Sequence, residues 1–193
     1  DYGKFGSIVT KAQRLMDDMI DLEVEQVDKI VAKIDKDPEP DEVKYYERNL
    51  WWNIRQVALR GRRTGLGITG LGDTIAMLGQ KYGSDKSIET TEEIYKWLSI
   101  NSLAKERGAF PVFDLEKEKD HPFLERVLGQ ADDYIKKMYK EHGRRNIANT
   151  TTAPAGSVSC LTQTTSGIEP AFMLYYTRRK KVQGDEEVMF IDD

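Results

Sequence analysis

A chain of 193 residues, 39% hydrophobic and 32% charged with a formal net charge of −4, has the composition of a helix-rich domain able to bury a core of its own. That charge balance excludes a polyanion or membrane surface, so nucleic-acid and membrane partners are not expected. The single cysteine cannot close an internal disulfide, which suits a reducing cytoplasm, and no apolar run approaches the ~18 residues of a membrane span.

The chain starts at Asp1, not Met, and opens almost at once on a helical pattern, which reads as a piece of a longer protein. Phe5, Ile8, Val9, Ala12, Leu15, Met16, Met19 and Ile20 recur at helical spacing and form one apolar stripe. Leu22 to Lys36 reads as a second amphipathic helix, with Val24, Val27, Ile30, Val31 and Ile34 on one side. Asp37 to Glu42 (DPEPDE) breaks it, and Asp41 is placed to cap a helix from Glu42 to Arg60. That helix is expected to turn Tyr46, Leu50, Ile54, Val57 and Ala58 inward. Trp51 and Trp52 are adjacent and face different ways, which fits core and interface packing better than a stacking platform for bases.

Gly65, Gly67 and Gly70 spell GxGxxG, but the residues before them, ALRGRRT, are charged and helix-terminal. A dinucleotide fingerprint needs a buried strand there, so that function is rejected. The block reads instead as a short buried strand over Gly65 to Thr69, whose glycines permit tight packing at its ends. A helix over Leu71 to Gln80 follows, with Leu71, Ile75 and Leu78 inside. Thr91 to Arg107 reads as a helix closed by Gly108, and Ala109 to Phe113 as a short strand with Phe110 and Phe113 buried. Helices are expected over Pro122 to Leu128 and Ala131 to His142. His121 and His142 are the only histidines and have no Cys or second His at ligand spacing, so no metal site is expected. The basic groups Arg62–Arg63, Arg144–Arg145 and Arg178 to Lys181 read as solvated faces or partners of local carboxylates.

Thr150 to Pro170 (TTTAPAGSVSCLTQTTSGIEP) is different in kind: among its 21 residues only Cys160 and Glu169 ionise. Ile147 to Thr152 can run as a short strand, Pro154 presets a turn, and Gly156 permits a positive φ or a close backbone approach. A helix starting near Ser157 would then aim unpaired N–H groups outward, which favours phosphate. The candidate site is Pro154, Ala155, Gly156, Ser157, Val158 and Ser159, the two serines adding hydroxyl donors. The bland alternative is a Ser/Thr-capped turn in a buried loop. No GxxxxGK[ST] is present, so a P-loop is excluded. Cys160 has no nearby base and reads as a small buried hydrophobe.

Three segments, Ala153 to Pro170, Gly61 to Asp73 (GRRTGLGITGLGD) and Leu103 to Asp114 (LAKERGAFPVFD), resemble the large catalytic chain of ribonucleotide reductases. Their wording is closest to the adenosylcobalamin-dependent class, and the resemblance covers nearly the whole chain in the family's order. It implies an α/β fold, this chain being a helix-rich fragment from the C-terminal part of a ten-stranded α/β barrel. The strands would be Gly65 to Thr69, Ala109 to Phe113 and Ile147 to Thr152. Residues 1–193 would then be one partial domain, with a helical segment over 1–60 and a strand and helix segment over 61–193 that carries a phosphate loop at 153–159. The resemblance further implies that the loop matching Pro154 to Val158 holds the substrate's phosphates through backbone N–H groups. The implied activity is radical removal of a ribonucleotide's 2′-hydroxyl, with adenosylcobalamin as cofactor, a thiol reductant such as thioredoxin, and a homodimer as a possible assembly.

The family's radical-loop pattern, Asn-x-Cys-x-Glu, is absent from these residues, so no catalytic residue is expected here and the isolated chain should be inactive. The helix over Thr91 to Arg107 is shorter than the family's, with a deletion around Trp97 to Ser102 as one explanation. Two other functions stay open. One is a di-metal, tyrosyl-radical reductase, and the other a non-catalytic helical module that binds nucleotides or a partner protein.

Overall fold

The computed structural model describes residues 1–99, 103–173, 177–180 and 189–192. They fall into two compact units, Asp1–Gly67 with Thr91–Thr152, and Ile68–Thr90 with Ala153–Asp193. No helix among the described residues is long and apolar enough to cross a membrane.

The first unit is organised on a helical hairpin. α1 runs unbroken over Tyr2–Lys36, where two helices were expected. No Gly or Pro interrupts the chain near Leu22, and one buried stripe, Val9, Gln13, Asp17, Ile20, Val24, Val27 and Ile34, carries through. Asp1 caps it by accepting the Lys4 N–H, and Lys33 and Lys36 suit the negative end of the helix dipole. α2, Asp41–Gly61, packs back on α1. Its N-cap is Pro40, so Asp41 lies in the first turn and is not the cap.

The inward face expected for α2 is corrected in part: Ile54 and Ala58 are half-buried as expected, but Tyr46 is 73%, Leu50 59% and Val57 74% exposed. Trp51, Arg55, Gln56 and Leu59 are half-buried beside them, so the face of α2 turned inward lies to one side of the expected one. Trp52 is exposed, with the Arg55 guanidinium 5.5 Å above its ring.

α4 covers Asp85–Ser99 and α5 Leu103–Arg107, with α3 described below. The helix expected from Thr91 thus begins earlier, and residues 100–102, where a deletion was considered, lie outside the described residues. Gly108 follows α5 at φ 78°, as its position predicts. Ala109 to Phe113 is no strand: the Phe113 N–H donates to Phe110 O across a tight turn at Pro111, which has no N–H for a ladder. Phe110 is buried and Phe113 half-buried, the latter edge-on to Tyr139. α6 (Leu115–Glu118), α7 (Pro122–Gly129) and α8 (Asp133–His142) complete the unit's helices.

The expected sheet shrinks to its seed. Leu66 and Thr150 form one parallel bridge, supported by the Thr64 N–H to Ala148 O, the Leu66 N–H to Asn149 O and the Thr151 N–H to Leu66 O. The segments 65–69 and 147–152, each expected as a strand, thus meet over a single bridge and form no regular strand. Parallel strands are stable inside covered multi-stranded sheets, and no third strand flanks this pair among the described residues. A second element was not foreseen: β1 (Thr177–Lys180) and β2 (Met189–Asp192) pair antiparallel, Thr177 opposite Asp192. Arg178 to Lys180 belong to β1, and Lys181 lies outside the described residues.

In the second unit α3 spans Leu71–Met77, ending before the expected Gln80, and α9 spans Gly156–Thr162. Leu71 and Ile75 are buried as expected, whereas Leu78 follows the helix and is 54% exposed.

Candidate functional site

The small-residue stretch after Thr152 is shaped by how its far end is held. Thr165 is bonded at its carbonyl by the Gly70 N–H and the Thr69 hydroxyl, both at 2.9 Å, and at its N–H by Asp73 Oδ2 at 2.7 Å. Leu71 N–H reaches Gly167 O, and the Tyr82 hydroxyl donates to Ile168 O at 2.6 Å. Gly70 takes φ 77°, where a side chain would be strained, and a Cβ on Gly72 would lie 2.6 Å from Glu169 O.

Against this edge α9 presents an open first turn. Its N-cap is Ala155, which offers no side-chain acceptor, and no acidic residue stands in its first turn. The N–H groups of Gly156, Ser157 and Val158 have no partner within the helix and carry its positive end. Pro154, Gly156, Ser157 and Val158 are exposed, and Ala155 is half-buried. Gly156 does not have a positive φ, and a Cβ there would meet nothing within 4 Å. Nothing among the described residues requires glycine at that position, and the space in front of it is free of them. Ser159 is buried, and its hydroxyl donates to Gly156 O at 2.8 Å, so it shapes the turn instead of facing outward. Cys160 is exposed, which corrects the expectation of a buried small hydrophobe: on so short a helix only Ser159 faces in.

The sequence reading missed a buried ion cluster in the first unit. Asp17, with its side chain fully enclosed, accepts from Arg62 Nε at 2.8 Å, Arg107 Nη1 at 3.0 Å, Arg145 Nε at 3.0 Å and Asn146 Nδ2 at 3.0 Å. Burial alone would push this carboxyl up, but the four donors outweigh it and hold it down at about 2. Arg62, held at a left-handed φ of 44° as the C-cap of α2, also binds Asp21. So Arg62 is a buried hub residue and Arg145 a half-buried one, while Arg63 is exposed and Arg144 pairs with Glu118. The signal available in the sequence was an Asp on the core stripe of α1. Asp17, Asp18 and Asp21 lie close enough to bracket a cation, but arginines already neutralise all three. The cluster is a structural lock, joining α1, the end of α2, the end of α5 and the segment that leads to Thr150.

Comparison with known proteins identifies relatives of the chain. A family model described as the ribonucleotide reductase barrel domain matches residues 1–192. The vitamin B12-dependent ribonucleoside-diphosphate reductase of Mycobacterium tuberculosis is 30% identical over 131 residues, covering 65% of this chain and 16% of that protein. The protein of the same name from Thermoplasma acidophilum is 29% identical over 131 residues, covering 65% of this chain and 15% of its own length. The ribonucleoside-diphosphate reductase subunit alpha of Treponema pallidum is 26% identical over 129 residues, covering 62% of this chain and 15% of its own. The chain thus spans about a sixth of the length of these relatives.

Proposed function

Since the chain belongs to the ribonucleotide reductase barrel-domain family, we propose that it is part of a ribonucleoside-diphosphate reductase and supplies the loop that holds the substrate's phosphates. The observation that carries this reading is the uncapped, exposed first turn of α9, with three N–H groups that have no partner among the described residues and open space at Gly156. Backbone donors of this kind bind charge at a fixed position without placing a counter-charge beside the ribose. Catalysis in such a protein depends on where the ribose sits, so the phosphate anchor contributes by orientation. The diphosphate preference follows the names of the relatives.

Adenosylcobalamin is the cofactor proposed for the whole protein, on the names of two of those relatives. The residues described here do not fit a site for it. His121 is the N-cap of α7, His142 ends α8 beside Glu141, and no other donor converges on either. No step is therefore assigned to the cofactor within this stretch. A thiol reductant such as thioredoxin, a homodimeric assembly and a cytoplasmic location are proposed on the same family grounds.

Replacing Gly156 by Phe in the whole enzyme fills the approach to the N–H groups. Loss of one or two charge-assisted hydrogen bonds should lower kcat/KM roughly ten- to hundredfold, mostly through KM. A Gly156→Phe enzyme with unchanged kinetics would sink the phosphate assignment. The isolated 193 residues, given cobalamin, a dithiol and a ribonucleoside diphosphate, should form no deoxynucleotide, which product chromatography checks directly.

A further inference from the structure

We infer that Asp73 and Thr165 form a positioning pair that sets the place of α9, and so of the phosphate-binding N–H groups; this rests on the phosphate reading above. The pair is reciprocal. Thr165 N–H donates to Asp73 Oδ2 at 2.7 Å, and Asp73 N–H donates to Thr165 Oγ1 at 3.4 Å. With its carbonyl taken by Gly70 and Thr69, each polar atom of Thr165 is engaged by residues 69–73.

From Thr165 the bonding passes straight into the helix. Thr164 N–H donates to Ser159 O at 3.1 Å, and the Thr164 hydroxyl lies 2.8 Å from that of Thr162, which bonds Val158 O at 2.9 Å. α9 needs such an anchor. It has only seven residues and one buried side chain, Ser159, so neither helix propensity nor a packed face can fix it. A set of backbone donors is useful to catalysis only when held within about 0.5 Å of its working position. Asp73, in the first turn of α3, supplies that constraint from ninety residues away in the chain. Its carboxylate reaches Thr165 and no residue of α9, so it acts through Thr165 and is a positioning residue, not a ligand.

The test uses the 193-residue chain, labelled with nitrogen-15, with inorganic pyrophosphate as probe and amide hydrogen exchange as a second readout. In the unaltered chain the amides of Gly156, Ser157 and Val158 should shift on titration. Asp73→Ala should speed exchange in α9 roughly tenfold and raise the pyrophosphate Kd roughly tenfold, while the Val24 and Val27 amides of α1 stay protected. Asp73→Asn keeps an oxygen that accepts the Thr165 N–H and should stay within about threefold of the unaltered chain. Thr165→Val keeps the N–H that Asp73 accepts and removes only the 3.4 Å hydroxyl contact, so it should move both readouts in the same direction as Asp73→Ala but by less, and Thr165→Ser should restore them.

Unchanged exchange in Asp73→Ala overturns the pair, whatever happens to binding. Tighter pyrophosphate binding in Asp73→Ala also overturns it, because the carboxylate would then act only by repulsion. If exchange rises as expected but pyrophosphate leaves the amides of 156–158 unmoved in the unaltered chain, the phosphate reading is what has failed, and the role in substrate positioning goes with it.

Discussion

Asp17 shows how one residue can decide a local structure. A carboxylate with no exposed side-chain surface survives in a protein interior only if its lost hydration is replaced, and here three guanidiniums and an amide replace it. Removing it strands those cations: Asp17→Ala should cost about 3–5 kcal/mol in urea unfolding, whereas a surface substitution costs less than about 0.5 kcal/mol. The pH dependence has a definite sign. The folded carboxyl sits at about 2, below its ordinary 3.8, so its contribution is complete above pH 4 and is lost as pH falls from there to 2. That contribution is about 2 kcal/mol, and it should be missing from the acid limb of an Asp17→Asn stability profile. An acid limb with the same slope in both chains would place the titration elsewhere.

Among elements, the glycine block gives the clearest link from sequence to packing. A Cβ on Gly67 would lie 2.4 Å from the Thr151 carbonyl oxygen, which is backbone and cannot swing aside. Gly67→Ala should therefore break the Leu66 to Thr150 bridge and cost about 1–3 kcal/mol, read as a fall in Tm and loss of the cross-segment Thr151 N–H bond by NMR. The reading of these glycines as packing devices, not a dinucleotide fingerprint, came from the charged residues before Gly65, and the geometry agrees.

Helices were legible because period and punctuation coincide: Gly108 and Gly143 end helices at positive φ where they were expected to. Other features of the helices and strands were not legible. Periodicity alone does not reveal that α1 continues past Leu22, since a stripe that keeps its phase looks like two helices when the hydrophobicity thins. The inward face of α2 was legible only in part: Ile54 and Ala58 lie on it, but tertiary packing turns Trp51 and Leu59 inward and leaves Tyr46, Leu50 and Val57 out. The strand at Ala109 to Phe113 failed because Pro111 makes a turn out of an apolar run. At the candidate site, the open helix start was readable from Pro154 and Gly156. The grip on Thr165 was not, because no local pattern links positions 73 and 165.

For the chain as a whole, the surface carries the main consequence. Ile8, Leu15, Met19 and Leu22 on α1, and Tyr45, Tyr46, Leu50 and Val57 on α2, are all more than half exposed, although they sit at helical spacing like core residues. Isolated apolar side chains at a surface are ordinary, but runs along one helix are not, and they are a liability in water. A chain about a sixth as long as its relatives, and matched along its length by a barrel-domain model, has such faces available to the rest of a longer protein. By itself it should bind 8-anilinonaphthalene sulfonate in the native state and self-associate as concentration rises. Tyr46→Lys with Val57→Lys should weaken both effects while leaving urea stability within about 0.5 kcal/mol, since neither side chain is buried by the fold. Should the double substitution instead cost the 2–5 kcal/mol typical of core truncation, the α2 face would be packed within the chain itself. If the dye binds and the charges do not reduce it, the exposed surface that matters is the one on α1, and Leu15→Lys with Met19→Lys becomes the decisive pair.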